Sequence, residues 1–195
     1  MTFRVKGFTI GFTYPTLAFL SILLISGTLS GYAYCFAALT IHELGHLLMM
    51  KLCGAEPSGI NVSLFDIKII QRSRHSLSFV RDALIILAGP AANLIMFALF
   101  FPLCAVFSAV NLMLGAFNLL PASGVDGGQL LFLILLRRFG ARKSALITDI
   151  TTVAVCVPMF FVGLTVLLYS KYNFSLLFLS LYLILTVFMR EDKYL

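Results

Sequence analysis

The chain has 195 residues, of which 61% are hydrophobic and 11% charged, and its mean hydropathy is +1.03. A soluble domain carries charge on roughly a quarter of its residues, so a soluble fold is excluded and one membrane-embedded unit spanning 1–195 is expected. Fourteen Lys and Arg stand against eight Asp and Glu, yet nucleic acid is excluded as a partner: the cations lie in short loops between apolar stretches, not on one soluble face.

At the N-terminus, Arg4 and Lys6 precede an apolar run that leads straight into a second one, which reads as a retained span at 12–29 and not a cleaved leader. Between Gly7 and Met50 Glu43 is the one formal charge. As a single helix that stretch would reach roughly 66 Å against a hydrocarbon core of about 30 Å, so two spans are expected, turning near Gly27–Gly31. Next, Ile60, Val62 and Leu64 alternate with polar neighbours, and Ile67 and Ile69 do so with shifted parity. That pattern predicts two short strands broken near Phe65 and Asp66, a hairpin at the inner face. Ala83–Val125 lacks charge and predicts two further spans, breaking near Pro102–Asn111. Residues 150–170 and 172–189 supply a fifth and a sixth. The expected fold class is therefore an all-α polytopic membrane protein of about six transmembrane helices with a small β-hairpin at the cytoplasmic face. With both termini cytoplasmic, thirteen of the fourteen Lys and Arg fall inside and Lys171 outside, as the positive-inside rule requires.

The chemistry lies in His42-Glu43-Leu44-Gly45-His46. On a helix, positions i and i+4 share a face, so both imidazoles can reach one zinc ion at about 2.0–2.1 Å. Glu43 then falls near the open coordination position, suited to act as general base towards a water whose pKa the ion lowers. Ionisable groups inside an apolar span are costly unless paired, metal-bound or functional.

A catalytic zinc site wants three protein ligands. His75, in a basic loop, reads as a solvated side chain, while Asp82 and Asp149 flank spans as caps or interfacial charges. Asp126 lies inside the fourth expected span, among Pro121, Gly124, Gly127 and Gly128, and is the expected third ligand. Those residues cannot form a clean helix, and irregular backbone at membrane depth is tolerated where it is buried in protein or lines a wet cavity. Cys35, Cys53, Cys104 and Cys156 show no metal-binding spacing and read as inert.

These residues resemble the site-2 protease family of intramembrane zinc metalloproteases. His42–His46 is similar to its zinc-binding helix, Gly89-Pro90-Ala91-Ala92-Asn93 to a small-residue motif on its next core span, and Asn118-x-x-Pro121-x-x-x-x-Asp126-Gly127 to the motif that supplies its aspartate ligand. The resemblance covers about 30–140, leaving 12–29, 150–170 and 172–189 as accessory spans. It implies one zinc ion held by His42, His46 and Asp126, with Glu43 as base. It further implies Asn118 as a polar group near the substrate carbonyl or oxyanion, and Asn93 either in such a role or in a hydrogen bond that packs helices. The family's hairpin corresponds to Gly59–Ile70, so that Gly59, Ile60, Asn61 and Val62 would pair with an unwound substrate as an added strand. The compact form resembles the group containing stage IV sporulation protein FB. That likeness implies regulated release of a membrane-tethered transcription-factor precursor, such as a sporulation sigma factor, in a bacterial cell membrane, with inhibitory or regulatory membrane proteins as further partners. The competing reading is a metal-binding membrane protein without hydrolysis, a carrier or an inactive relative. A carrier needs ionisable groups staged on both sides of the midplane, whereas here they converge; an inactive relative would have lost Glu43 or a ligand.

Overall fold

A computed structural model describes residues 2–5, 8–12, 29–55, 57–62, 67–71, 78–171 and 174–188. The expected span at 12–29 falls almost wholly outside the described residues, as do the strand break at 65–66, His75 and the cationic tail. The chain divides into two compact units, Met1–Phe117 and Asn118–Leu195.

In the first unit, the apolar alternation of Phe8, Ile10 and Phe12 is a strand signal. β1 (Thr2–Val5) and β2 (Phe8–Phe12) pair antiparallel. Helix α1 (Leu29–Leu52) follows, then β3 (Pro57–Val62) and β4 (Ile67–Gln71), and the sheet order is β1-β2-β3-β4. β2 and β3 run parallel. A tight turn cannot make such a pairing; it needs a long crossover, and the stretch containing α1 provides one. Two further helices complete the unit, α2 (Phe79–Phe100) and α3 (Ala105–Asn118).

Burial in these helices inverts the soluble pattern. Ala38, His42, His46 and Met50 form a buried stripe on α1 at four-residue spacing, while Phe36, Leu44, Leu48 and Leu52 on the same helix are exposed. Ile85, Gly89, Pro90 and Asn93 are buried on α2, and Phe107, Ser108, Asn111 and Gly115 on α3. In lipid, exposed leucine costs nothing, whereas every polar group must find a protein partner. Small and polar residues therefore face the helix interfaces.

In the second unit, residues 119–125 are irregular. α4 (Asp126–Ser170) is broken at Gly140, which has φ 71° and ψ 170°, into two arms joined amid Arg137, Arg138, Arg142 and Lys143. Lys171 ends it in the left-handed region, its N–H donating to the Leu167 carbonyl. α5 (Ser175–Phe188) packs against the second arm, where a Cβ on Gly163 would stand 2.6 Å from Leu177 N.

The expected fold class is overturned. In place of six spanning helices, three among the described residues are long and apolar enough to cross a membrane: Gly31–Leu52, Phe79–Phe100 and Asp126–Ser170. Ala105–Asn118 and Leu176–Leu185 are apolar but shorter. The break beginning at Leu119 limits α3 to about 21 Å, short of a core of about 30 Å. At Arg137–Lys143, between the fourth and fifth expected spans, the chain turns at Gly140 without a separate loop. Nor does the chain carry a small separate hairpin on an otherwise helical fold, since 57–62 and 67–71 belong to a four-stranded sheet that recruits the N-terminal residues. Gly59, Ile60, Asn61 and Val62, expected to pair with an unwound substrate, lie on β3 of that sheet. β3 is interior, with Gly59 to Val62 aligned with Thr9 to Phe12 on one side and with Ile70 to Ile67 on the other. Both of its hydrogen-bonding edges are taken.

Candidate metal centre

α1 and α2 run antiparallel, with 38, 42 and 46 meeting 93, 89 and 85 in turn. This register follows from side chains at four-residue steps on both helices. It also depends on Gly89. An added Cβ there would lie 2.8 Å from His42 Nε2 and 2.7 Å from His46 Cε1, so the bare backbone is the seat on which both rings rest.

Each ring is held at Nδ1 by α2. His46 Nδ1 lies 2.7 Å from the Ile85 carbonyl oxygen. That oxygen can only accept, so Nδ1 of His46 carries a proton and its Nε2 is the nitrogen turned towards His42. His42 Nδ1 lies 2.6 Å from Asn93 Oδ1. The two Nε2 atoms are 3.2 Å apart, and the rings meet edge to face at 82°. Two ligand nitrogens on a tetrahedral zinc at about 2.05 Å are separated by about 3.3 Å. Nδ1 hydrogen bonds of this kind are the usual way metal-binding imidazoles are fixed in tautomer and orientation. The two histidines fit a divalent metal.

Asn93 and Asn111 are fully buried and bonded to each other, Asn93 Nδ2 donating to Asn111 Oδ1 at 2.9 Å. Asn93 makes hydrogen bonds across helices, to His42 and Ala38 on α1 and to Asn111 on α3. Glu43, on α1 between the two ligands, is half-buried.

In the second unit, Asp126 is the first residue of α4 and is buried. Asn118, half-buried, closes α3 at the other side of the irregular stretch. That stretch folds onto the first turn of α4. A Cβ on Gly127 would strike the Leu119 and Leu120 carbonyls, and one on Gly128 the Ala122 carbonyl. Ser123 ties the stretch to the second arm of α4: its N–H donates to Thr152 Oγ1 at 2.7 Å and its hydroxyl to Asp149 Oδ1 at 2.9 Å. Thr152 in turn donates to the Thr148 carbonyl at 2.7 Å. Asp149, expected as an interfacial charge, therefore braces the approach to Asp126. Asp82 occupies the first turn of α2, where the helix dipole favours an anion.

The sequence reading missed Gly89 as a seat, Ile85 as an acceptor, Asn111 and Asp149. Asn111 carried a usable signal, since a lone amide in an apolar helix demands a partner. A backbone carbonyl such as that of Ile85 has no residue signature at all.

No protein-family model matches the chain. In sequence it is 30% identical over 142 residues to a zinc metalloprotease of Methanocaldococcus jannaschii, covering 66% of this chain and 41% of that protein. It is 26% identical over 172 residues to Rip3 of Mycobacterium tuberculosis, a zinc metalloprotease by name, covering 70% of this chain and 44% of that protein. The chain thus spans less than half the length of these curated relatives. In fold it is similar to the solved site-2 protease from Methanocaldococcus jannaschii, with a TM-score of 0.72 and 22% identity over 98% of this chain and 95% of that one.

Proposed function

Since this chain belongs to the site-2 protease family of zinc metalloproteases, we propose that it is an intramembrane endopeptidase hydrolysing peptide bonds in or near transmembrane segments of membrane-tethered proteins. The observation that carries the reading is the pair of Nε2 atoms 3.2 Å apart on one face of an apolar helix. Zinc, when bound, supplies Lewis acidity that lowers the pKa of water and polarises the scissile carbonyl. His42 and His46 hold the ion through Nε2. As third ligand of a single ion we propose Asp126, supported by its burial at the head of α4 and by its place in the Asn118–Gly127 motif. Glu43 is the base: its carboxylate takes the proton of the attacking water and passes it to the leaving amine nitrogen. Asn118 is proposed to donate its amide N–H to the carbonyl oxygen as charge develops there.

Three finer readings are part of this proposal. Release of a transcription-factor precursor, a sporulation sigma factor among them, in a bacterial cell membrane rests on the resemblance to the group containing stage IV sporulation protein FB, and regulatory membrane proteins would control it. Cytoplasmic termini are supported by the distribution of cations. A cysteine-labelling probe placed at Lys143 that reports the outside would overturn that orientation.

The central test is Glu43→Gln in the full chain, co-expressed with a membrane-tethered reporter substrate that the parent cleaves. Zinc content should match the parent, because Glu43 is not a ligand, and cleavage should fall by about two to four orders of magnitude. Cleavage at the parental rate in this variant would remove Glu43 as base and the proposed activity with it.

A further inference from the structure

His46 owes its tautomer to a backbone carbonyl, which cannot change its role. His42 does not. Its Nδ1 faces a side-chain amide, and an amide turned by 180° would present a donor in place of an acceptor. The proton of His42 would then belong on Nε2, and Nε2 would be lost as a ligand.

The surroundings of Asn93 fix which way its amide points. Asn93 Nδ2 donates to the Ala38 carbonyl at 3.0 Å and to Asn111 Oδ1 at 2.9 Å. Asn111 is itself oriented, its Nδ2 donating to the Phe107 carbonyl at 2.9 Å. Two backbone carbonyls, on α1 and α3, thus anchor the relay at its ends. Turning Asn93 would set its oxygen against two acceptors and its NH2 group against the ring. Every polar atom of Asn93 is accounted for, in a residue with no exposed surface, which is the condition under which a buried polar network specifies one arrangement.

We propose that Asn93, held in direction by Asn111, is a positioning residue that keeps the proton of His42 on Nδ1 and its Nε2 available to the metal. The proposal rests on the reading of His42 and His46 as metal ligands. It assigns Asn111, outside the zinc-binding sequence, a part in metal affinity through Asn93.

The test uses the purified full chain in lipid nanodiscs. The sequence has three histidines, so His75→Asn leaves two imidazoles to be read by 15N NMR in chelator-stripped protein. Both rings should carry a proton on Nδ1; a His42 ring with no proton on Nδ1 overturns the proposal whether or not any Asn93 variant folds. Zinc affinity is then measured by chelator competition. Asn93→Leu should bind about 10- to 100-fold more weakly than the parent. Asn93→Asp keeps an acceptor at Nδ1 but sets its second oxygen against the Ala38 and Asn111 oxygens, so it should be less stable than the parent and still bind zinc more tightly than Asn93→Leu; Asn111→Leu should also lie between Asn93→Leu and the parent. A residue that only packs predicts the opposite order, because leucine suits an apolar interface better than a buried carboxylate. Asn93→Leu binding as tightly as the parent, or Asn93→Asp losing as much as Asn93→Leu, overturns the proposal and leaves the metal site standing. A parent that binds no zinc overturns the metal site itself.

Discussion

Gly89→Ala is the smallest change that reaches both imidazoles from outside the zinc-binding sequence. The new Cβ would stand 2.8 Å from His42 Nε2 and 2.7 Å from His46 Cε1, where real Cβ atoms essentially never come within 3.0 Å. One or both rings must move. Alanine gains about 1 kcal/mol over glycine as a helix former, and overpacking costs about 1–3 kcal/mol, so the net loss of stability should be about 0–2 kcal/mol. The metal suffers more, because ligand distances must hold within about 0.2 Å and the rings are displaced at the donor atoms. We expect zinc affinity to fall at least tenfold, about 1.4 kcal/mol, while the protein stays folded. Gly163→Ala is the control: its Cβ would stand 2.6 Å from Leu177 N and 2.8 Å from Leu177 Cα, backbone that cannot rotate aside. It should lower thermal stability more than Gly89→Ala and leave zinc affinity of the folded fraction unchanged. Chelator competition and thermal unfolding on the two purified variants separate the effects. Parental zinc affinity in Gly89→Ala, or an equal loss in both variants, refutes the seat.

Asp126→Asn replaces an anionic oxygen ligand with a weaker neutral one, so zinc content and cleavage should both drop while membrane insertion persists; full zinc occupancy by metal analysis would remove Asp126 from the ligand set. Asp149→Ala removes the acceptor of the buried Ser123 hydroxyl and should cost about 1–3 kcal/mol, with faster amide exchange across 119–125. Asp149→Asn keeps an acceptor and should stay within about 1 kcal/mol of the parent, and equal exchange in both variants would show that Asp149 does not brace the stretch.

How much was legible depended on the distance over which each feature is encoded. His42 and His46 are four residues apart on one helix, so spacing alone put them on one face. Asn93 was visible as part of a motif, but its contact with His42 joins residues on different helices, and sequence could not choose between a place near substrate and a hydrogen bond between helices. The N-terminal strands were misread because Phe8, Ile10 and Phe12 open a long apolar run, and average hydropathy outweighed their alternation. Once β2 lies parallel to β3, the first strand of the expected hairpin becomes interior and β4 the edge of a larger sheet, a consequence no local pattern carries. The span count failed for a related reason: a charge-free stretch measures what lipid tolerates, not where helix stops. Pro121 and Gly124, the latter at φ 101°, lie in the interruption, Gly127 and Gly128 let it fold onto the first turn of α4, and Asn118 and Asp126 stand at its two ends.

The same averaging explains why the site itself hides inside an ordinary-looking span. Taken whole, α1 is apolar enough to cross a membrane. Taken by face, it has one stripe of Ala38, His42, His46 and Met50, met by Asn93, Gly89 and Ile85 on α2. In a soluble enzyme water could satisfy whatever polar atoms such a stripe left over. In lipid it cannot, so each nitrogen must be committed to a particular acceptor. A requirement imposed by the solvent therefore also fixes the tautomers. In this chain, satisfying the buried imidazoles and preparing them for a metal are one constraint, met by the single helix α2.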